Sequence, residues 1–141
     1  MMARALVAAS CLACGSAPAE PLVLAAAAGS QLPAELIGDF RCSSASYRSQ
    51  LTIFNDGRYH ETDMLTRHGN HWEPIAVKGE PCSPFGKAAF KESVLTLSYQ
   101  WATCEQLSDP VTLPVHLREW RLTEADASGF SDGEHTCRRG R

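Results

Sequence analysis

Long apolar runs are scarce in this chain. Crossing a bilayer as a helix takes about 20 consecutive apolar residues, and the apolar stretch near the N-terminus is broken by Pro18, Glu20 and Pro21. A dense positive face is missing too. The formal net charge is −3 over 141 residues, a balance that argues against a nucleic-acid partner. Arg138, Arg139 and Arg141 form only a short basic tail, read as a solvated terminus. No internal repeat or low-complexity segment follows residue 35. Nor does any stretch there hold a 3.6-residue period over about 11 residues, so long amphipathic helices are not expected. Glu119–Asp126 has room for one turn of helix.

The signatures of catalysis are also absent. There is no Gly-x-Ser-x-Gly elbow and no glycine-rich phosphate loop, and nothing singles out two acids as a carboxylate pair. Among Cys42, Cys82, Cys104 and Cys137 no two lie two to four residues apart, the spacing that structural zinc sites use. The reading is a protein that is not an enzyme and needs no cofactor.

What is present begins at the front. Met1-Met2-Ala3-Arg4 carries one positive charge, and Ala5–Ala13 follows as a short apolar stretch. This is the charged-then-apolar layout of an export signal. Leu12-Ala13-Cys14-Gly15-Ser16 resembles the lipobox of bacterial lipoproteins, and the small-residue and proline stretch after it resembles their tether. The resemblance implies a lipid on Cys14, so that the membrane is touched only through that anchor. Cys11 stands three residues earlier, where the family has Leu or Val. Two alternatives are ordinary secretion, with cleavage after Ala19 or near Ala28, and a cytosolic protein in which Cys11 and Cys14 form a C-x-x-C. No βαβ pattern supports the latter. The expected division is a signal at 1–19, a linker or tether at 20–35, and one domain at 36–141.

Six cysteines are present. Cleavage before Cys14 removes Cys11, and lipidation consumes Cys14. The remaining Cys42, Cys82, Cys104 and Cys137 form an even set, which in a small exported domain reads as two disulfides. Spacing leaves all three pairings open.

Turn signals then punctuate the domain at regular intervals. Strands are expected at Leu36–Ser43, Tyr47–Phe54, Arg58–Arg67, His71–Glu80, Ser93–Trp101, Val111–Thr123 (bent at Pro114) and Glu134–Arg139. Turns fall at Asn55-Asp56-Gly57, at His68-Gly69-Asn70 and in the Ser128–Gly133 region. Pro81–Lys87 and Cys104–Pro110 read as loops. Leu95, Leu97, Tyr99 and Trp101 alternate with Thr96, Ser98 and Gln100, the clearest period of two. Short strands at this spacing imply an all-β sandwich or small barrel.

Leu36-Ile37-Gly38-Asp39-Phe40 and Leu51-Thr52-Ile53-Phe54-Asn55-Asp56-Gly57-Arg58-Tyr59 resemble the opening strand and Asp-Gly turn unit of the lipocalin-like (calycin) small barrels. Phe40 replaces that family's tryptophan. The resemblance implies a single antiparallel up-and-down β-barrel in which the first strand pairs with the last. Cys42 would then face Cys137, and Cys82 and Cys104 would join two loops.

Two candidate sites follow. His60, Glu61, Asp63, His68 and His71 look like metal ligands on paper. A hairpin about the 68–70 turn separates His60 from His68 by eight residues of strand, about 27 Å, so they cannot share an ion. Exposed loop histidines are the plainer reading. Tyr59, Trp72, Tyr99, Trp101 and Trp120 either fill the core or line a cavity mouth, with Trp72, Tyr99 and Trp101 as the expected ligand pocket. The function expected is an extracytoplasmic, non-enzymatic module that holds a small apolar ligand or an envelope or secreted protein. An inhibitor of a secreted hydrolase (a protease or lysozyme), using a protruding loop such as 81–90 or the N-terminal segment, and a structural envelope lipoprotein are the alternatives.

Overall fold

Alternation of buried and exposed side chains builds the sheet. In Tyr47–Ile53, Ser49, Leu51 and Ile53 are buried while Arg48 and Gln50 face water. A computed structural model describes residues 22–27, 29–77, 80–104 and 109–140. A 3-10 turn at Ala34–Leu36 precedes strands β1 (Gly38–Ser43), β2 (Tyr47–Ile53), β3 (Arg58–His68), β4 (His71–Pro74), β5 (Ala76–Val77) and β6 (Glu80–Lys91). Then follow β7 (Val94–Cys104), β8 (Val111–Arg121), β9 (Glu124–Asp126), β10 (Gly129–Ser131) and β11 (Thr136–Arg139). All pairings are antiparallel. The order across the sheet is β8-β7-β6-β3-β2-β1-β11-β10-β9, with β4 added to β3 and β5 to β6.

The first strand does pair with the last, and Cys42 lies directly opposite Cys137. The closed barrel expected from the sequence is corrected, however. The sheet curls through 268° and leaves roughly a quarter of the circle open. The opening is a seam between β8 and β9, which are consecutive in the chain but do not pair among the described residues. The connector Leu122-Thr123 spans its lower end. There the Leu122 amide donates to the Ser93 carbonyl at 2.7 Å and the Thr123 amide to the Ser131 carbonyl at 2.8 Å.

Three further expectations change. Pro81–Lys87 is strand, because β6 runs without a break from Glu80 to Lys91. Pro84 is tolerated there because the β3 ladder reaches only as far as Phe85, so this stretch of β6 has β7 as its long partner on one side. The β6–β7 register jumps between Phe85 and Gly86. A side chain at Gly86 would sit 1.9 Å from the Ser98 carbonyl oxygen, so only glycine permits this approach. At the end of the chain, Glu124–Asp126 and Gly129–Ser131 form the short hairpin β9–β10 where a helical turn and a plain turn were expected.

Both disulfides bridge residues directly opposed on neighbouring strands. Cys42–Cys137 joins β1 to β11, and Cys82–Cys104 joins β6 to β7 rather than two loops. Two bridges in a domain of this size indicate an oxidising, extracytoplasmic environment.

The core sits inside the curl, toward the lower end where β2 meets β3 and β6 meets β7. Phe40, Leu51, Ile53, Tyr59, Leu95 and Leu97 are each at most 2% exposed. Burying each side chain of this kind contributes about 1.5–3 kcal/mol relative to leaving it in water. Leu32 and Leu36 plug that end, so the packed core starts inside the stretch read as a linker. Arg139 clamps the plug. Its guanidinium lies 4.9 Å from the Phe40 ring centroid and donates to the Ile37 carbonyl at 2.7 Å.

Candidate functional site

Two features stand out above the packed core and along the side of the curl. The first is polar. Glu61, on the inward face of β3, is 0% exposed. Its carboxylate accepts from the Arg118 guanidinium of β8 and from the Tyr47 hydroxyl of β2. A second Arg118 nitrogen donates to the Tyr47 oxygen at 3.1 Å. Along the sheet, β8 lies three strands from β3. The ion pair is therefore a chord across the interior, holding the free edge strand to the opposite wall.

The surroundings extend this cluster. The Arg118 guanidinium lies 5.3 Å from the Trp120 ring centroid. Trp120 stacks on His135 at 5.1 Å, and His135 Nδ1 lies 3.0 Å from Asp132 Oδ2. Burial, reinforced by the Glu61 charge, pushes the Tyr47 hydroxyl well above the ordinary tyrosine range. Burial does the same to Tyr59. For Arg118 burial opposes the charge, but Glu61 and Tyr47 outweigh it and hold the guanidinium protonated. Among the described residues the buried Tyr59 hydroxyl and Arg118 Nε have no hydrogen-bond partner, and Ser49 Oγ faces Tyr47 without a well-formed bond. The cluster is neutral as a pair and presents no activated nucleophile. Its chemistry is that of a clasp.

The second feature is a crevice of mixed lining. The β3–β6 ladder ends at His60 opposite Phe85, and β3 takes up β4 from Leu65 onward. Between the two lies a crevice of about 670 Å³, walled by Met64, Leu65, Pro74, Ile75 and the Cys82–Cys104 disulfide, with Asp63, Ser83 and Thr103 adding polar lining. Its volume falls within the ~300–1,000 Å³ span of small-molecule sites. A bulge in β3 makes the divergence. Arg48 pairs with Leu65 and Gln50 with Thr62, so Asp63 and Met64 together oppose Ser49. Asp63 takes the left-handed conformation, with φ of 50°, and accepts from Gln50 Nε2 at 2.5 Å. Backbone in this region is uncommon outside glycine and gathers at functional sites.

The expected pocket aromatics have separate settings. Tyr99 is half-buried in the interior, where burial raises its pKa and Arg118 and Glu61 act on it. Trp101 is 42% exposed and stacks on Phe85 at 6.1 Å. Trp72 lies under Arg48, whose guanidinium is 4.1 Å from the ring centroid. The crevice walls come instead from Met64, Leu65, Pro74, Ile75 and the Cys82–Cys104 disulfide, with Asp63, Ser83 and Thr103 beside them. One signal was available: Met64-Leu65 and Pro74-Ile75 flank the Gly69 turn symmetrically, and Leu65 pairs with Pro74.

The histidines fall as the hairpin argument requires. His68 pairs with His71 at the exposed tip, while His60 pairs with Phe85 at the other end of β3. His71 and His68 both approach Glu73, at 2.8 and 3.6 Å. Among the described residues no group of three or more His, Cys, Asp or Glu side chains is placed to hold a metal ion. Cys11 and Cys14 lie outside the described residues.

Fold and site together define a disulfide-stapled, incompletely closed antiparallel β domain with a side crevice of mixed apolar and polar lining. No protein-family model, curated protein or solved structure matches the chain.

Proposed function

We propose that this protein is an extracytoplasmic, non-enzymatic binding module that holds a small apolar ligand in the crevice between the β3–β4 hairpin and β6–β7. The observation that carries this reading is the crevice itself: about 670 Å³, with Met64, Leu65, Pro74, Ile75 and the Cys82–Cys104 disulfide as its apolar part and Asp63, Ser83 and Thr103 as its polar part, opened by a bulge at a left-handed Asp63. The lipocalin-like resemblance and a lipid on Cys14 belong to the same proposal. Leu22 and Leu24 pack against the core, and the Ser93 hydroxyl donates to the Leu22 carbonyl at 3.1 Å. These contacts favour processing ahead of residue 22 over processing near Ala28. A protein partner is the second reading, supported by the exposed Phe85–Trp101 stack. Of the two elements suggested for the hydrolase-inhibitor reading, 81–90 belongs to strand β6, and residues 1–21 of the N-terminal segment lie outside the described residues.

The test uses the apolar fluorophore N-phenyl-1-naphthylamine and the mature protein. Wild type should bind it with a rise in emission, Met64→Lys should bind at least about tenfold more weakly, and Arg41→Ala on the outer surface should match wild type. Equal binding by wild type and Met64→Lys, with both folded, would overturn the assignment.

A further inference from the structure

The geometry points to a second binding surface on this protein: an arginine path over the outer wall, from β11 to β3, that takes a flexible acidic polysaccharide. The net charge of −3 averages over the whole chain and conceals this path. Arg138, Arg41, Arg48 and Arg67 are all exposed. The strand register sets them on one outward face. Arg41 lies directly opposite Arg138. On its other side Arg41 faces Gln50, and Arg48 is two residues from Gln50, opposite Ser43. Leu65 faces Arg48, and Arg67 is two residues beyond Leu65. Each step crosses one strand, and the last two also climb toward the His68–His71 tip. Cβ atoms directly opposed on a ladder are about 5 Å apart and diagonal ones about 7–8 Å, so the four arginines follow one another along roughly 20 Å.

Their local contacts leave donors free. Arg41 has no hydrogen-bond or ion-pair partner among the described residues. Arg48 lies over the Trp72 ring at 4.1 Å. Arg67 Nε donates to the Gly69 carbonyl at 2.9 Å, and Arg138 reaches the Ser128 hydroxyl at 3.4 Å. Two acids flank the path. Asp126 lies near Arg138 but accepts from the Ser128 amide and hydroxyl, and Asp63 accepts from Gln50. Like charges directly opposed across a ladder are destabilising, and an anionic chain laid along the path reverses that cost. A shallow trough of about 300 Å³ between Arg41 and Arg48, edged by Ser43 and Gln50, gives it a bed.

Curvature selects the ligand. The curl of 268° is shared among eight strand-to-strand steps, so the three steps from β11 to β3 turn the wall through about 100°. A flat bilayer cannot meet both ends of such a path, and neither can a stiff nucleic-acid duplex. Single-stranded nucleic acid is held by stacking bases on open aromatic rings, and Trp72, the ring beside Arg67, is already covered by Arg48. A polysaccharide bearing carboxylate or sulfate groups bends with the wall and asks only for charge.

Isothermal titration of the mature protein with a heparin octasaccharide tests this. Wild type should bind, and added salt should weaken the binding steeply. Arg41→Ala combined with Arg48→Ala should weaken it roughly tenfold and lower the salt slope by about two. Lys91→Ala combined with Arg121→Ala removes the same charge from exposed positions off the path and should match wild type. Circular dichroism checks that each variant is folded. Three results would each overturn the surface: no heparin binding by wild type, equal losses in the two double variants, or binding to phosphatidylglycerol vesicles or a thymidine oligonucleotide as tight as to heparin. Fluorophore binding at the crevice is read separately, so either site can fail without the other.

Discussion

Arg118→Met isolates the clasp across the interior. The substitution keeps much of the aliphatic volume and removes the charge, leaving Glu61 at 0% exposure with the Tyr47 hydroxyl as its remaining described partner. Taking away one member of a buried pair costs about 3–5 kcal/mol, because the other charge stays behind uncompensated. Against a total stability of roughly 5–15 kcal/mol, that is a large fraction. At about 4–8 °C per kcal/mol for a domain of this size it lowers Tm by roughly 12–40 °C. Glu61→Leu combined with Arg118→Met removes both charges and should recover most of the loss. It should leave about 1–2 kcal/mol, chiefly the Tyr47 hydroxyl without its acceptor. Urea unfolding followed by tryptophan fluorescence, with an unchanged m-value, measures each variant. A single variant within about 1 kcal/mol of wild type would refute the clasp, as would a double variant no better than the single.

The tyrosines set a second expectation. The folded pKa values of Tyr47 and Tyr59 are raised, so their contribution is fully present below the unfolded value near 10 and is lost as pH rises beyond it. Absorbance at 295 nm should show both ionising only as the domain unfolds in alkali, and early ionisation of all three tyrosines in folded protein would contradict it. The disulfides set a third. In the chain-entropy model the 95-residue bridge contributes about 4.7 kcal/mol and the 22-residue bridge about 3.4. Denaturant midpoints should therefore fall further for Cys42→Ser/Cys137→Ser than for Cys82→Ser/Cys104→Ser, and the reverse order would argue against that model here.

Much of the sheet was legible because its signals are local. Asn55-Asp56-Gly57 and Gly69-Asn70 mark their turns without help from the rest of the fold, and Leu95, Leu97 and Tyr99 show their face by alternation. The Pro81–Pro84 stretch was not legible. Whether a proline breaks a strand depends on which side of it a neighbour lies, and that is a tertiary fact. The seam was hidden for a similar reason: pairing of the first strand with the last is compatible with a gap elsewhere in the circle. The clasp escaped notice because Glu61 and Arg118 are 57 residues apart, and Glu61 sat among histidines that suggested a metal. The crevice depends on one extra residue in β3, and Asp63 carries no sign of a bulge in a stretch of mixed polarity.

The walls of this molecule are unequal in height. β8 is eleven residues long, whereas β9 and β10 beyond the seam are three each. The upper part of β8 thus looks across the gap at no strand among the described residues, and the molecule is shaped less like a can than like a jug with a lowered lip. Arg118 sits beside that lip with a quarter of its side chain in solvent, while its partner Glu61 has none. The cation keeps part of its hydration, and the anion is solvated only through the cation and a phenol. An ion pair that would be costly in a closed interior is tolerable here because the shell was never completed around it.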